Sequence, residues 1–207
     1  PTVGTILDRV IPGWALTEEQ VAANRQNLIP YPNKELTNAL FGIDISHGEL
    51  VGIIAEKKKR KTTFALNIAY KIMTAPQPLI KPGVSFFTME SGQDAGRIAE
   101  ALVAMRATHI LAVQLHGQPT SNPTWVADCA RDQHLCFSPE FLRFRRRTPE
   151  QSQAIEQAIE DVKRWPISIY DNRISGIRQM DKAAALIAKE AECGTRVFFV
   201  DHIQQFS

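Results

Sequence analysis

Short apolar runs alternate along this chain with longer segments whose apolar residues recur every three or four positions. Leu50-Val51-Gly52-Ile53-Ile54-Ala55 is a continuous apolar run of strand length and predicts a buried strand. A helix is expected from about Lys61 to Met73, because Phe64, Ile68 and Ile72 fall on one face with Ala65 and Ala69. Val84-Ser85-Phe86-Phe87-Thr88-Met89 reads as the next strand, introduced by Pro82-Gly83, and a helix follows from about Asp94 to Ala107. Thr148, Pro149 and Gln151 together carry a helix start: a hydroxyl cap, a proline in the first turn and a glutamine that closes a capping box. That helix is expected to reach about Trp165. Ile167-Ser168-Ile169-Tyr170 is the third strand. Ser175 is placed to cap a helix running to about Glu192, with Gly194 as its stop. Arg196-Val197-Phe198-Phe199-Val200 is the fourth strand, and it ends at Asp201.

The first 42 residues read as a lead-in. Thr17 with Gln20 makes a capping box for a helix to about Asn27, Pro30 and Pro32 break the chain, and Asn33 caps a short helix that ends at Gly42. Residues 43–207 then form the main domain, with 108–147 reading as an insertion of loops and short helices. Short apolar strands alternating with amphipathic helices predict βαβ units. The expected fold class is α/β: a mainly parallel sheet covered by helices on both faces.

Length and charge narrow this only a little. The 207 residues suffice for one α/β domain with a sizeable core. The formal net charge of +2 is too small to argue for a nucleic-acid partner by itself, so any basic patch has to be argued locally. Three cysteines (Cys129, Cys136 and Cys193) cannot all pair with each other. With no signal peptide or membrane-length apolar run in view, the expectation is a cytoplasmic protein without a membrane partner.

The candidate chemistry gathers at predicted strand ends. Lys61-Thr62-Thr63 stands at a strand-to-helix junction, where a lysine, a hydroxyl and helix N–H groups can all face one anion. The usual phosphate loop reads G-x-x-x-x-G-K-[ST]. Here the eight positions are Ala55-Glu56-Lys57-Lys58-Lys59-Arg60-Lys61-Thr62, and neither glycine is present. Asp201 ends an apolar strand, the layout of a carboxylate that meets nucleotide-bound Mg²⁺. Glu90 follows the Phe86–Met89 strand, where a carboxylate can polarise an attacking water. Because carboxyl ends of parallel strands are where such sheets bind ligands, Lys61, Glu90 and Asp201 are expected to converge.

These segments resemble the motor domain of DnaB-type replicative helicases. The run Leu50–Ala55, then Lys61-Thr62-Thr63-Phe64-Ala65-Leu66-Asn67-Ile68-Ala69, is similar to that family's phosphate-loop strand and helix. Phe87-Thr88-Met89-Glu90 is similar to its strand ending in S-L-E-M, and Val200-Asp201-His202-Ile203-Gln204 to its V-D-Y-L-Q. Asn33-Lys34-Glu35-Leu36 and His47-Gly48-Glu49-Leu50 resemble the approach to its phosphate loop. The likeness covers roughly residues 30–107 and 166–207. It implies a RecA-like P-loop NTPase core that binds ATP and Mg²⁺, assembles as a homo-oligomeric ring (a hexamer), and moves on single-stranded DNA. On that likeness Lys61, Thr62, Thr63 and Arg60 meet the nucleotide, Thr62 and Asp201 serve the Mg²⁺, and Glu90, with Lys61, is catalytic. Three departures stand out. Arg60 replaces the glycine before the lysine, His202 replaces a tyrosine, and the family's later glutamine sensor, DNA-binding loops and arginine finger would lie beyond Ser207. The alternative function is a RecA-fold binding or assembly module that does not hydrolyse nucleotide.

Two further clusters carry candidate chemistry. Cys129, His134 and Cys136, with His116 as a fourth, are zinc-ligand types, although three local ligands fall short of a structural zinc site. Arg143, Arg145, Arg146 and Arg147 are interleaved with Phe141 and Phe144, a composition suited to phosphates and stacked bases, or else a solvated face.

Overall fold

The computed structural model describes residues 28–29, 31, 34–40, 42–44, 51–54, 60–75, 82–88, 94–117, 137–171, 177 and 179–201. Three parallel strands form the centre: β3 (Gly83–Thr88), β4 (Ile167–Asp171) and β5 (Thr195–Asp201), in the order β4-β3-β5. A separate antiparallel ladder of two-residue strands joins β1 (Leu28–Ile29) to β2 (Ile43–Asp44), which the hydrophobic pattern did not signal. The helices are α1 (Lys34–Leu40), α2 (Lys61–Thr74), α3 (Ala95–His116), α4 (Pro139–Phe144), α5 (Pro149–Lys163) and α6 (Met180–Glu192).

Strand alternation sends the two sets of side chains to opposite faces. Val84 and Phe86 of β3, with Ile167, Ile169, Val197 and Phe199, pack against Ile68 and Ile72 of α2 and Ile98, Leu102 and Met105 of α3. The Phe86 and Phe199 rings stack at 4.6 Å between centroids. Phe87 faces the other way. Together with Tyr170, Phe198, Val200 and the buried Ile177, it packs against Leu186 and Ile187 of α6. Helices therefore cover both faces of a parallel sheet, and the α/β class is as expected.

A third cluster joins α3 to α5 through Ala104, Ala107, Ile110 and Leu111 against Ala154, Ile155 and Ala158. Arg106 clamps the same pair of helices by an ion pair to Asp161 at 2.7 Å. Among the described residues α3 is the one helix long and apolar enough to cross a membrane by length and composition. Its burial against α2, the sheet and α5 accounts for that composition.

Several boundaries differ from the sequence reading. Residues 51–54 are not in a strand. Val51 and Ile53 are partly exposed and Ile54 is 97% exposed. A continuous apolar run signals a tendency to bury but does not supply a ladder partner, and the described strand β5 is paired with β3 alone. Helix α3 continues to His116 rather than stopping at Ala107, so residues 108–116 are helix and not inserted loop. Its apolar face persists through Ile110-Leu111-Ala112, and the turn comes only at Gly117, where φ is +78°. Helix α6 starts at Met180 behind Gln179, which makes no side-chain cap; Ser175 lies outside the described residues. The capping box at Thr148 and Gln151 is formed as expected. The expected 17–27 helix and the cap at Asn33 also lie outside the described residues.

Candidate functional site

Helix α2 is held on the sheet by its buried face, Leu66, Ile68, Ala69, Ile72 and Met73. That packing delivers its N-terminus to the carboxyl edge of the strands. There Thr62 donates its hydroxyl to Asp201 Oδ2 at 2.7 Å, across 139 positions of sequence. Lys61 opens the helix and is half-buried, one residue from that contact. The first turn of α2 contains no acid, and Arg60 at the N-cap makes no side-chain cap bond. Its N–H groups and the positive end of the helix therefore carry no built-in counter-charge from the helix itself.

Arg60 is the one non-glycine residue with positive φ among the described residues, at φ 61° and ψ 30°. This is the left-handed region that glycine adopts freely and that a Cβ disfavours by about 1–2 kcal/mol. The sequence reading placed a missing glycine at this position, and the backbone keeps the glycine-like conformation with an arginine in it. Residues 55–59, the rest of the loop, lie outside the described residues.

Register brings a second carboxylate to the same edge. Thr88 of β3 pairs with Asp201 on one side and Asp171 on the other, so all three strand ends lie level. Asp171 is 5% exposed and accepts the Ala95 N–H at 3.1 Å, at the start of α3. Asp94 caps the same helix by accepting from Arg97 N at 2.9 Å. The sequence reading missed Asp171; its signal was the same as that of Asp201, an acid closing an apolar strand. Glu90 lies outside the described residues, and the strand before it ends in register with Asp201.

Thr62 and Thr63 also line a cavity of about 210 Å³ between α2 and α3, together with Ile98, Met105, Phe137, Arg97 and Glu140. The lining is mainly apolar. Thr63 is further fixed by the buried Asn67, whose amide donates to its carbonyl at 2.7 Å.

No family model, no curated protein and no solved structure matches this chain. The site must therefore be read from its own chemistry. A hydroxyl bonded to a strand-end carboxylate, beside a lysine at a helix start, is a set that can take a divalent cation carried by a phosphate. Among the described residues no group of three or more His, Cys, Asp or Glu side chains is placed to hold a metal. Cys129, His134 and Cys136 lie outside the described residues; His116 is exposed at the end of α3, and Cys193 is a free, exposed thiol.

Proposed function

We propose that this chain is an ATP-binding motor domain of the RecA-like, P-loop class, similar to that of hexameric replicative DNA helicases. In this reading ATP hydrolysis is coupled to movement on single-stranded DNA within a homo-oligomeric ring. The observation that carries the reading is the Thr62–Asp201 hydrogen bond at the N-terminus of α2. In such a site the threonine oxygen is a direct Mg²⁺ ligand and the aspartate holds the ion's water shell. A hydroxyl and a carboxylate within 2.7 Å of each other are close enough to serve one cation together.

The roles follow from position. Lys61 would neutralise the β- and γ-phosphates, and the N–H groups of Thr62 and Thr63 would point at the same anion. Thr62 and Asp201 would hold Mg²⁺ there, and the ion would supply positive charge to the phosphates. Glu90, two residues beyond the end of β3, would orient the attacking water. Turnover assays with and without single-stranded DNA test this. Glu90→Gln is expected to abolish hydrolysis while leaving nucleotide binding largely intact. Loss of binding together with turnover would assign Glu90 a structural role and remove the catalytic assignment.

One observation favours a second reading, a non-hydrolysing binding module. Arg60 places a Cβ and a long side chain where the backbone of a phosphate loop approaches the anion most closely. Saturable ATP–Mg²⁺ binding with no DNA-stimulated turnover would select this reading over the motor.

A further inference from the structure

Helix α4 is short, and its two aromatic rings have opposite fates. Phe141 packs edge-to-face on the fully buried Phe137, with ring centroids at 5.0 Å. Phe144, three residues on, is 78% exposed. Exposure of so large a ring is not forced by the fold, since the α4–α3 contact is already made by Phe141 and Leu142. Two ties fix the helix end that carries Phe144. Arg143 reaches Glu100 of α3 at 2.8 Å, and Arg147 donates back to the Leu142 carbonyl.

Beyond Phe144, residues 145–148 form no helix or strand, with Arg145 and Thr148 extended, and every residue from Arg143 to Glu150 is exposed. Four arginines fall within residues 143–147, against Glu140 and Glu150 nearby and Glu100 already paired with Arg143. Arg145 and Arg146 have no acid partner among the described residues. The result is one exposed ring at a helix end, followed by planar cations on an exposed segment between two helices. A ring offers a stacking face to any base, and guanidinium groups pair with the phosphates between bases.

We infer that Phe144, Arg145 and Arg146 form a contact surface for single-stranded nucleic acid, with Phe144 stacking on a base and the two arginines meeting the flanking phosphates. An acidic peptide would use the arginines but has no need of the ring. A duplex keeps its base faces stacked internally and offers Phe144 nothing. The inference rests on the single-stranded DNA partner of the proposed function but not on nucleotide binding or hydrolysis. Pro139 and Glu140, at the start of the same helix, line the cavity beside Thr62 and Thr63, so a strand held here lies one short helix away from the candidate phosphate site.

The test is fluorescence anisotropy of a labelled oligo-thymidine strand with the whole chain, without nucleotide, over a range of salt. Arg145→Ala/Arg146→Ala is expected to reduce the slope of log K against log salt by about 1.4, since each phosphate contact on a single strand contributes roughly 0.7. Phe144→Ala is expected to weaken binding by about 5- to 150-fold at constant slope, the range of one stacked base, and Phe144→Trp to restore it. Circular dichroism confirms that each variant is folded. Unchanged affinity and slope in both variants would overturn the inference. So would absence of binding by the parent, or Phe144-independent binding displaced equally by poly-glutamate. A Lys61→Ala variant tested in parallel separates the two ideas. Loss of ATP binding with oligo-thymidine binding intact leaves this surface standing, and retention of ATP binding by that variant counts against the nucleotide site alone.

Discussion

At the scale of single residues, Arg60 carries the most information. A left-handed arginine persists only where its surroundings impose the conformation, and here it sits directly before the lysine of the candidate site. Arg60→Gly relieves about 1–2 kcal/mol of Cβ strain in the folded chain, while the added freedom of the unfolded chain returns about 0.4–1 kcal/mol. The net expectation is a gain in stability of about 0–1.6 kcal/mol, read by urea unfolding. Nucleotide affinity should rise with it, because the side chain no longer crowds the anion. A clearly destabilised variant would mean that the arginine side chain holds the loop by contacts of its own. Gly83 is the opposite case. A Cβ there would lie 2.9 Å from Thr195 Cα and Oγ1, at the point where the β3–β5 register shifts. Gly83→Ala is expected to cost about 1–3 kcal/mol, as overpacking against backbone usually does, measured as a fall in unfolding midpoint.

At the scale of elements, α6 is fixed to the sheet by one carboxylate. Glu190 accepts from Tyr170 at 2.6 Å, from Ser85 at 2.7 Å and from Thr195 at 3.0 Å, and so touches all three central strands. Burial pushes the Glu190 pKa up, but these hydroxyl donors outweigh it and hold the carboxyl below its ordinary value. A depressed carboxylate adds stability that is present above its unfolded pKa and lost as pH falls through the folded one. The Tyr170 hydroxyl, by donating to Glu190 and by burial, is pushed up to about 12. Its contribution is complete below the usual tyrosine value near 10 and fades as pH rises towards about 12. Thermal unfolding against pH should therefore show a loss on the acid side that Glu190→Gln flattens. It should also show a loss on the alkaline side that Tyr170→Phe removes, with the latter costing about 1 kcal/mol at neutral pH for the lost bond. Identical pH profiles for parent and variants would contradict this account of α6.

The same scale shows what could be read from the sequence. The helix at Lys61, the capping box at Thr148 and the strands around Phe86, Ile169 and Phe198 were legible, because local periodicity and caps decide them. Residues 51–54 were misread, because an apolar run does not say whether a partner strand is available. The end of α3 was placed too early, although no breaker stands before Gly117. The pairing of Thr62 with Asp201 was legible only as a convergence of strand ends. Asp171 is hidden from the apolar pattern, which ends at Tyr170, one residue before the strand does.

For the whole molecule, the three-stranded parallel sheet does one thing that the local elements do not. It sets Thr88, Asp171 and Asp201 level and packs α2 so that its first turn meets that edge. We propose that this edge is an Mg²⁺–nucleotide site. The most direct measurement is calorimetric titration of ATP into the chain, with and without Mg²⁺, for the parent, Lys61→Ala, Thr62→Ala and Asp201→Asn. The account predicts saturable binding that is strengthened by Mg²⁺, lost in Lys61→Ala, and stripped of its Mg²⁺ dependence in Thr62→Ala and Asp201→Asn. ATP binding that is absent, or that is the same in all four proteins, would contradict it.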